Sequence, residues 1–289
     1  MPVMTYIKFK IHSYLILAIL LLQVSSVLSQ TNEAIFKKEI EIINNYCDSI
    51  KKISNDSIKK ILNNQIAIAL VSILKKDISF KMKLDTLKHI GRAYPTDDKF
   101  RMVTWNLPLN DGTNDFNAII QMNPEHDSLC KLIRLTDSSM NYKGSIAELR
   151  FTTDKWYGAL YYEILTCKID NKTVYTLLGM HFNDFFTNRK IIESMYFDEK
   201  VSPVFGFPIF QYNGKLQNRI VFDYSLNAVM NLKYEKKLKM IIFDHLAPPS
   251  PLYEGNYKFY GPDFTFDGFK FEKNKWVYYS NVDFRKSKK

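Results

Sequence analysis

The hydrophobic period changes once along this chain, from three-and-four to two, and that switch limits the folds open to it. Over residues 31–78 the apolar side chains Phe36, Ile40, Ile43, Cys47 and Ile50 recur at helical spacing, and Ile58, Ile61, Leu62, Ile66, Ile68, Leu70, Val71 and Leu74 continue the pattern. Between the two series, Ser54, Asn55 and Asp56 carry short oxygens that accept the unpaired amide protons of a helix start. Two helices joined by a short turn are expected. The lysine pairs 37/38, 51/52, 59/60 and 75/76 fall off the apolar stripe and read as a solvated face, with membrane-surface binding by a basic amphipathic helix as the competing reading. A short helix over residues 84–90, ended by Gly91, is expected next.

After a turn at Pro95, Thr96, Asp97 and Asp98 the period becomes two, with Phe100, Met102 and Thr104 alternating against Arg101, Val103 and Trp105. Strands are expected at residues 99–107, 116–122, 132–135, 146–151, 159–169, 173–180, 190–197, 208–212, 219–224, 229–234, 239–243, 264–272 and 275–279. Asn110-Asp111-Gly112, Asp170-Asn171, Asn213-Gly214 and Lys273-Asn274 separate them as tight turns. Short strands on tight turns imply antiparallel pairing. The expected fold class is therefore α+β, an N-terminal helical hairpin (30–94) followed by a predominantly antiparallel β domain (95–289). A sandwich is the expected form and a propeller-like array the alternative.

Residues 1–29 have the layout of a secretory signal peptide: Lys8 and Lys10, the apolar run from Tyr14 to Leu22, then small residues ahead of Gln30. Gln23, Ser25 and Ser26 interrupt the run short of a membrane span. Cleavage between Ser29 and Gln30 is expected, leaving no transmembrane segment, and the competing reading is an uncleaved anchor. Cleavage lowers the formal charge from +10 to +8, as 38 basic residues then face 30 acidic ones. Only seven of the basic residues are Arg, whereas phosphate and base recognition favours the guanidinium fork. No nucleic-acid partner is expected.

Cys47, Cys130 and Cys167 allow at most one disulfide within the chain. No Cys or His cluster has zinc spacing, and no nucleophile elbow, phosphate loop, HExxH or EF-hand signature occurs. No cofactor or metal is expected.

The constellation best suited to chemistry is Asp244, His245, Asp263 and Asp267, since a carboxylate beside a histidine can orient a general base and further acids can serve hydrolysis. Neighbours on a strand face opposite ways, so Asp244 and His245 share a pocket only if the strand ends there, which Ala247-Pro248-Pro249 allows. The bland reading makes them partners of loop backbone. Asp263 and Asp267 offer too few oxygens for a calcium loop and read as turn residues. Trp156, Tyr157, Tyr161, Tyr162, Trp276, Tyr278 and Tyr279 make either a sugar-stacking platform or sheet core, and core is the default.

One set of stretches carries a resemblance: Asp98-Lys99-Phe100-Arg101 with Thr104-Trp105-Asn106, the run from Trp156 to Tyr162, and Tyr175-Thr176-Leu177-Leu178-Gly179. To these add the run from Phe243 to Pro249, Tyr260-Gly261-Pro262-Asp263, Asp267-Gly268 and Lys275-Trp276. From about Phe80 onward the chain resembles a secreted protein family of Bacteroidota whose activity is uncharacterised. The resemblance implies export in a Gram-negative bacterium, to the periplasm, the cell surface or the medium. It brings no substrate or cofactor. The expected role is a non-catalytic binding or structural protein of the cell envelope, with a glycan or another envelope component as partner. The alternative is a secreted, glycan-directed hydrolase using the 244–267 acids. Four Asp-Ser/Thr-aliphatic triplets, against about one expected at ordinary composition, are similar to an O-glycosylation acceptor motif of exported Bacteroidota proteins. They nominate Ser49, Ser57, Thr86 and Ser128.

Overall fold

The computed structural model describes residues 36–82, 84–126 and 131–283. The signal peptide, Cys130 and Ser128 lie outside the described residues. Helix α1 occupies residues 36–50 and α2 spans Asp56–Leu74. Asn55 caps α2 by accepting the Ile58 amide, as its position ahead of the apolar series predicts.

Fifteen strands follow in three sheets among the described residues. Sheet I holds β1 (Gly91–Ala93), β2 (Phe100–Pro108), β3 (Asn114–Met122) and β4 (Leu132–Thr136) in that order. Sheet II orders β11 (Arg219–Ser225), β7 (Thr187–Phe197), β6 (Lys172–Phe182) and β5 (Leu160–Ile169), with β8 (Pro203–Phe205) paired to β7. Sheet III orders β10 (Lys215–Gln217), β9 (Phe210–Tyr212), β15 (Lys275–Tyr279), β14 (Gly261–Glu272), β13 (Met240–Ala247) and β12 (Leu232–Glu235). Pairing is antiparallel throughout except between β15 and β9. The fold is α+β.

Side-chain alternation stacks the sheets. In β6, Val174 and Leu178 pack toward sheet III while Tyr175 and Leu177 pack toward sheet I, so sheet II buries both faces. Sheet I in turn gives Phe100, Met102 and Ile120 to sheet II, and Val103, Trp105 and Ile119 to the helices. The order of layers is thus helices, sheet I, sheet II, sheet III. Face-to-face stacking through shared cores is the geometry of sandwiches and sets the propeller-like array aside. Gly179 is needed at the centre, because a Cβ there would sit 2.8 Å from the Tyr161 ring.

Three local expectations fail for physical reasons. No helix forms over residues 84–90, where Leu84 (φ 54°) and His89 (φ 61°) are left-handed, and Gly91 opens β1 instead. Residues 146–150 form no strand. Their carbonyls turn to Arg219 and Asn218, leaving only Phe151 in a bridge to Phe205. Lys59 is buried rather than solvated, its ammonium held by Asp56 (2.9 Å), Asn110 (2.8 Å) and the Pro108 carbonyl.

Cys47 lies in the core between the helices and sheet I, Cys167 in the core between sheets II and III, and both are free. Burial pushes both thiols up to about 11, which keeps them protonated and unreactive.

Candidate functional site

Strands β13 and β14 are joined by an excursion over residues 248–260, which contains 3-10 turns at Pro251–Tyr253 and Tyr257–Phe259. Ser250 starts the first turn by accepting the Leu252 amide. The strand does not stop at residue 243 but runs through Asp244 and His245 to Ala247, directly before the prolines, and carries an irregularity on the way. Asp244 pairs with Phe266 and Leu246 with Pro262, so residues 263–265 bulge opposite His245. Phe264 forms the tip of that bulge, left-handed at φ 70° and 90% exposed.

Hydrogen bonds divide the four candidate residues among three tasks. Asp244 is buried, and its carboxylate accepts both the backbone amide (2.7 Å) and side-chain amide (3.0 Å) of Asn231. Asp263 accepts the Thr265 amide and hydroxyl and closes its own turn. Burial works against ionisation of Asp263. The Thr265 donors, with His245 nearby, nevertheless hold its carboxyl below the usual carboxylate range. Asp267 is buried and accepts from His245 Nδ1 (2.7 Å), Tyr278 (2.8 Å) and the Asn281 amide (3.0 Å).

Asp267 pairs across the sheet with Phe243, and Asp244 with Phe266, so the two acids face opposite sides of sheet III. The structure therefore brings His245 to Asp267 and keeps Asp244 apart. The Asp267 contact at Nδ1 fixes the orientation of a half-exposed His245 ring. A carboxylate-oriented imidazole is the base half of a nucleophilic triad. Among the described residues no hydroxyl or thiol is hydrogen-bonded to His245, and no three His, Cys, Asp or Glu residues are grouped to hold a metal.

Around this corner the loops of sheets II and III expose large apolar side chains. Phe185 and Phe186 lie in the β6–β7 turn, Leu226 and Val229 in the β11–β12 loop, and Leu252, Tyr257 and Phe259 in the excursion. The loops are tied together: the Leu226 amide donates to the Phe186 carbonyl and the Ser225 amide to the Tyr260 carbonyl. Of the sequence's aromatic candidates, Trp156, Tyr157, Tyr161 and Trp276 are core, while Tyr162 and Tyr279 are partly exposed. Tyr161 and Tyr162 do face opposite ways.

A second polar cluster escaped the sequence reading. His181 is buried between the rings of Phe116 and Tyr157, with Nδ1 2.7 Å from the Gly158 carbonyl. Beside it Arg189 clamps Asp223 bidentately (2.6 and 2.8 Å) and meets the Tyr157 hydroxyl. Its members come from four separate segments and form no motif, so nothing local could have marked them. Burial lowers the His181 pKa to about 4.

Ser49, Ser57 and Thr86 are all exposed, on or beside the helical layer. The Ser49 hydroxyl donates to the Asn45 carbonyl, 2.7 Å away, one turn back along α1.

No family model, curated protein or solved structure matches the chain.

Proposed function

We propose that the protein is an exported, non-catalytic binding or structural protein of a Gram-negative cell envelope, and that it engages a glycan or another envelope component through the loops beside His245. One observation carries the non-catalytic reading. Asp244 and Asp263 each accept two local donors, and Asp267 is buried under three. The exposed rings of Phe185, Phe186 and Phe264 support recognition, because apolar patches on cross-braced loops serve as contact surfaces and aromatic faces stack on sugar rings.

Incubating residues 30–289 with isolated envelope polysaccharide tests this. Retention without release of reducing ends is expected, and Phe264→Ala should weaken it. Asp244→Ala should cost about 1–3 kcal/mol of stability by leaving the Asn231 amides unpaired, without affecting retention of the folded protein. Reducing-end release that vanishes in His245→Ala would overturn the reading. That outcome would establish the second one, a secreted glycan-directed hydrolase, which the His245–Asp267 pair favours.

The hydroxyls of Ser49, Ser57, Thr86 and Ser128 are proposed as glycan acceptors on the exported chain. An intact mass above that of the bare polypeptide, reduced stepwise by Ser→Ala and Thr→Ala changes, is expected. A mass equal to the bare chain refutes the assignment.

A further inference from the structure

The helical layer carries a surface that its packing on sheet I does not explain. Helix α2 is long and apolar enough to cross a membrane, yet only a third of it is buried. Its inner stripe, with Ile66, Leu70, Ile73 and Leu74, is sealed against the core. At 3.6 residues per turn, Ile61 and Ile68 lie on the opposite side, with Ile58 beside them. These three are 61%, 55% and 45% exposed, and Ile42 of α1 is 41% exposed. A helix apolar on both sides is ordinarily enclosed on both. Something is expected to cover the outer ridge.

Charge says what. Residues 36–81 carry nine Lys against five Asp or Glu, a balance of +4. Three of those acids are already engaged: Glu39 with Lys76, Asp48 with Lys51 and Asp56 with Lys59. Lys37, Lys38, Lys52 and Lys75 are exposed on the same layer. A second copy of this face would bring like charges together. A polyanion without apolar surface would use the lysines and leave the isoleucines wet. An anionic lipid surface satisfies both, with acyl chains and glycerol for the isoleucines and headgroup phosphates for the ammonium groups.

We propose that the helical layer is a membrane-surface binding face, with α2 lying in the plane of an anionic bilayer for its length of about 28 Å and Ile58, Ile61 and Ile68 entering the headgroup boundary. Spanning is ruled out because the inner stripe of α2 would have to leave the core. The isoleucines and lysines of this face are not among the side chains of the loop proposal, so either proposal can fail alone.

Vesicle flotation of residues 30–289 tests it, using phosphatidylcholine alone and phosphatidylcholine with phosphatidylglycerol. Binding to the anionic vesicles should exceed binding to the neutral ones by about tenfold or more and weaken as salt shortens the Debye length. The double variant Ile61→Ser, Ile68→Ser should lose about tenfold or more of that binding while its melting shifts little, since both side chains are more than half exposed. The double variant Lys37→Gln, Lys38→Gln should reduce the salt dependence. No flotation at low salt would overturn the proposal, as would flotation that the isoleucine changes leave intact. A dimer that the isoleucine changes convert to monomer, without flotation, would overturn it in favour of a second copy.

Discussion

Arg219→Met should lower folding stability by about 3–5 kcal/mol, the cost of leaving one half of a buried ion pair behind. Arg219 and Glu193 are both fully buried between sheets I and II, 2.5 Å apart. Glu193 also receives the Tyr161 hydroxyl, which in turn accepts from Trp156 Nε1. The guanidinium further donates to the Ile146 and Leu149 carbonyls and lies over the Phe151 ring. Removing it strands a carboxylate and two carbonyls in a medium without water. Urea unfolding followed by circular dichroism reads the loss. The double change Arg219→Met, Glu193→Leu should recover part of it, because it takes out both charges. A loss below about 1 kcal/mol for the single change would show that the pair is solvated, as exposed pairs are.

Acidification should weaken the fold through His181. Burial lowers its pKa from 6.5 to about 4, and the Gly158 carbonyl that accepts from Nδ1 only partly opposes that. Arg189, Asp223 and Asp137 are the charges that act on it. The folded state keeps the ring neutral while the unfolded chain binds a proton near 6.5. The stability is therefore complete above pH 6.5 and drains as pH falls toward 4. At one pKa unit per 1.36 kcal/mol the full shift is worth about 3 kcal/mol. Denaturation midpoints taken across that window should fall in the native chain and stay flatter in His181→Gln, whose amide can still meet the Gly158 carbonyl. Parallel curves for the two proteins would assign the acid sensitivity elsewhere.

Much of the candidate corner was legible because strand geometry is local. The two-residue period separates Asp244 from His245, and the structure keeps them on opposite faces of β13. The period could not say that Asp267, 22 residues later, would be the acid beneath His245. That pairing follows from the register of β14 on β13 and from a bulge of three residues opposite one, which no turn dipeptide announces. Phe264 is a bulky residue at positive φ, a conformation sequence propensity argues against.

By itself the sequence determined what depends on near neighbours: two helices, the switch to strands near Pro95, most strand positions, and antiparallel pairing through tight turns. Tertiary structure decided what depends on burial from both sides. The apolar run Val174-Tyr175-Thr176-Leu177-Leu178 marks a strand in either a one-sided or a two-sided sheet. Only the stacking makes it the middle layer, with Leu177 facing sheet I and Leu178 facing sheet III. The same stacking puts Arg219 opposite Glu193 and encloses His181, because partners that distant in sequence meet only once the layers close.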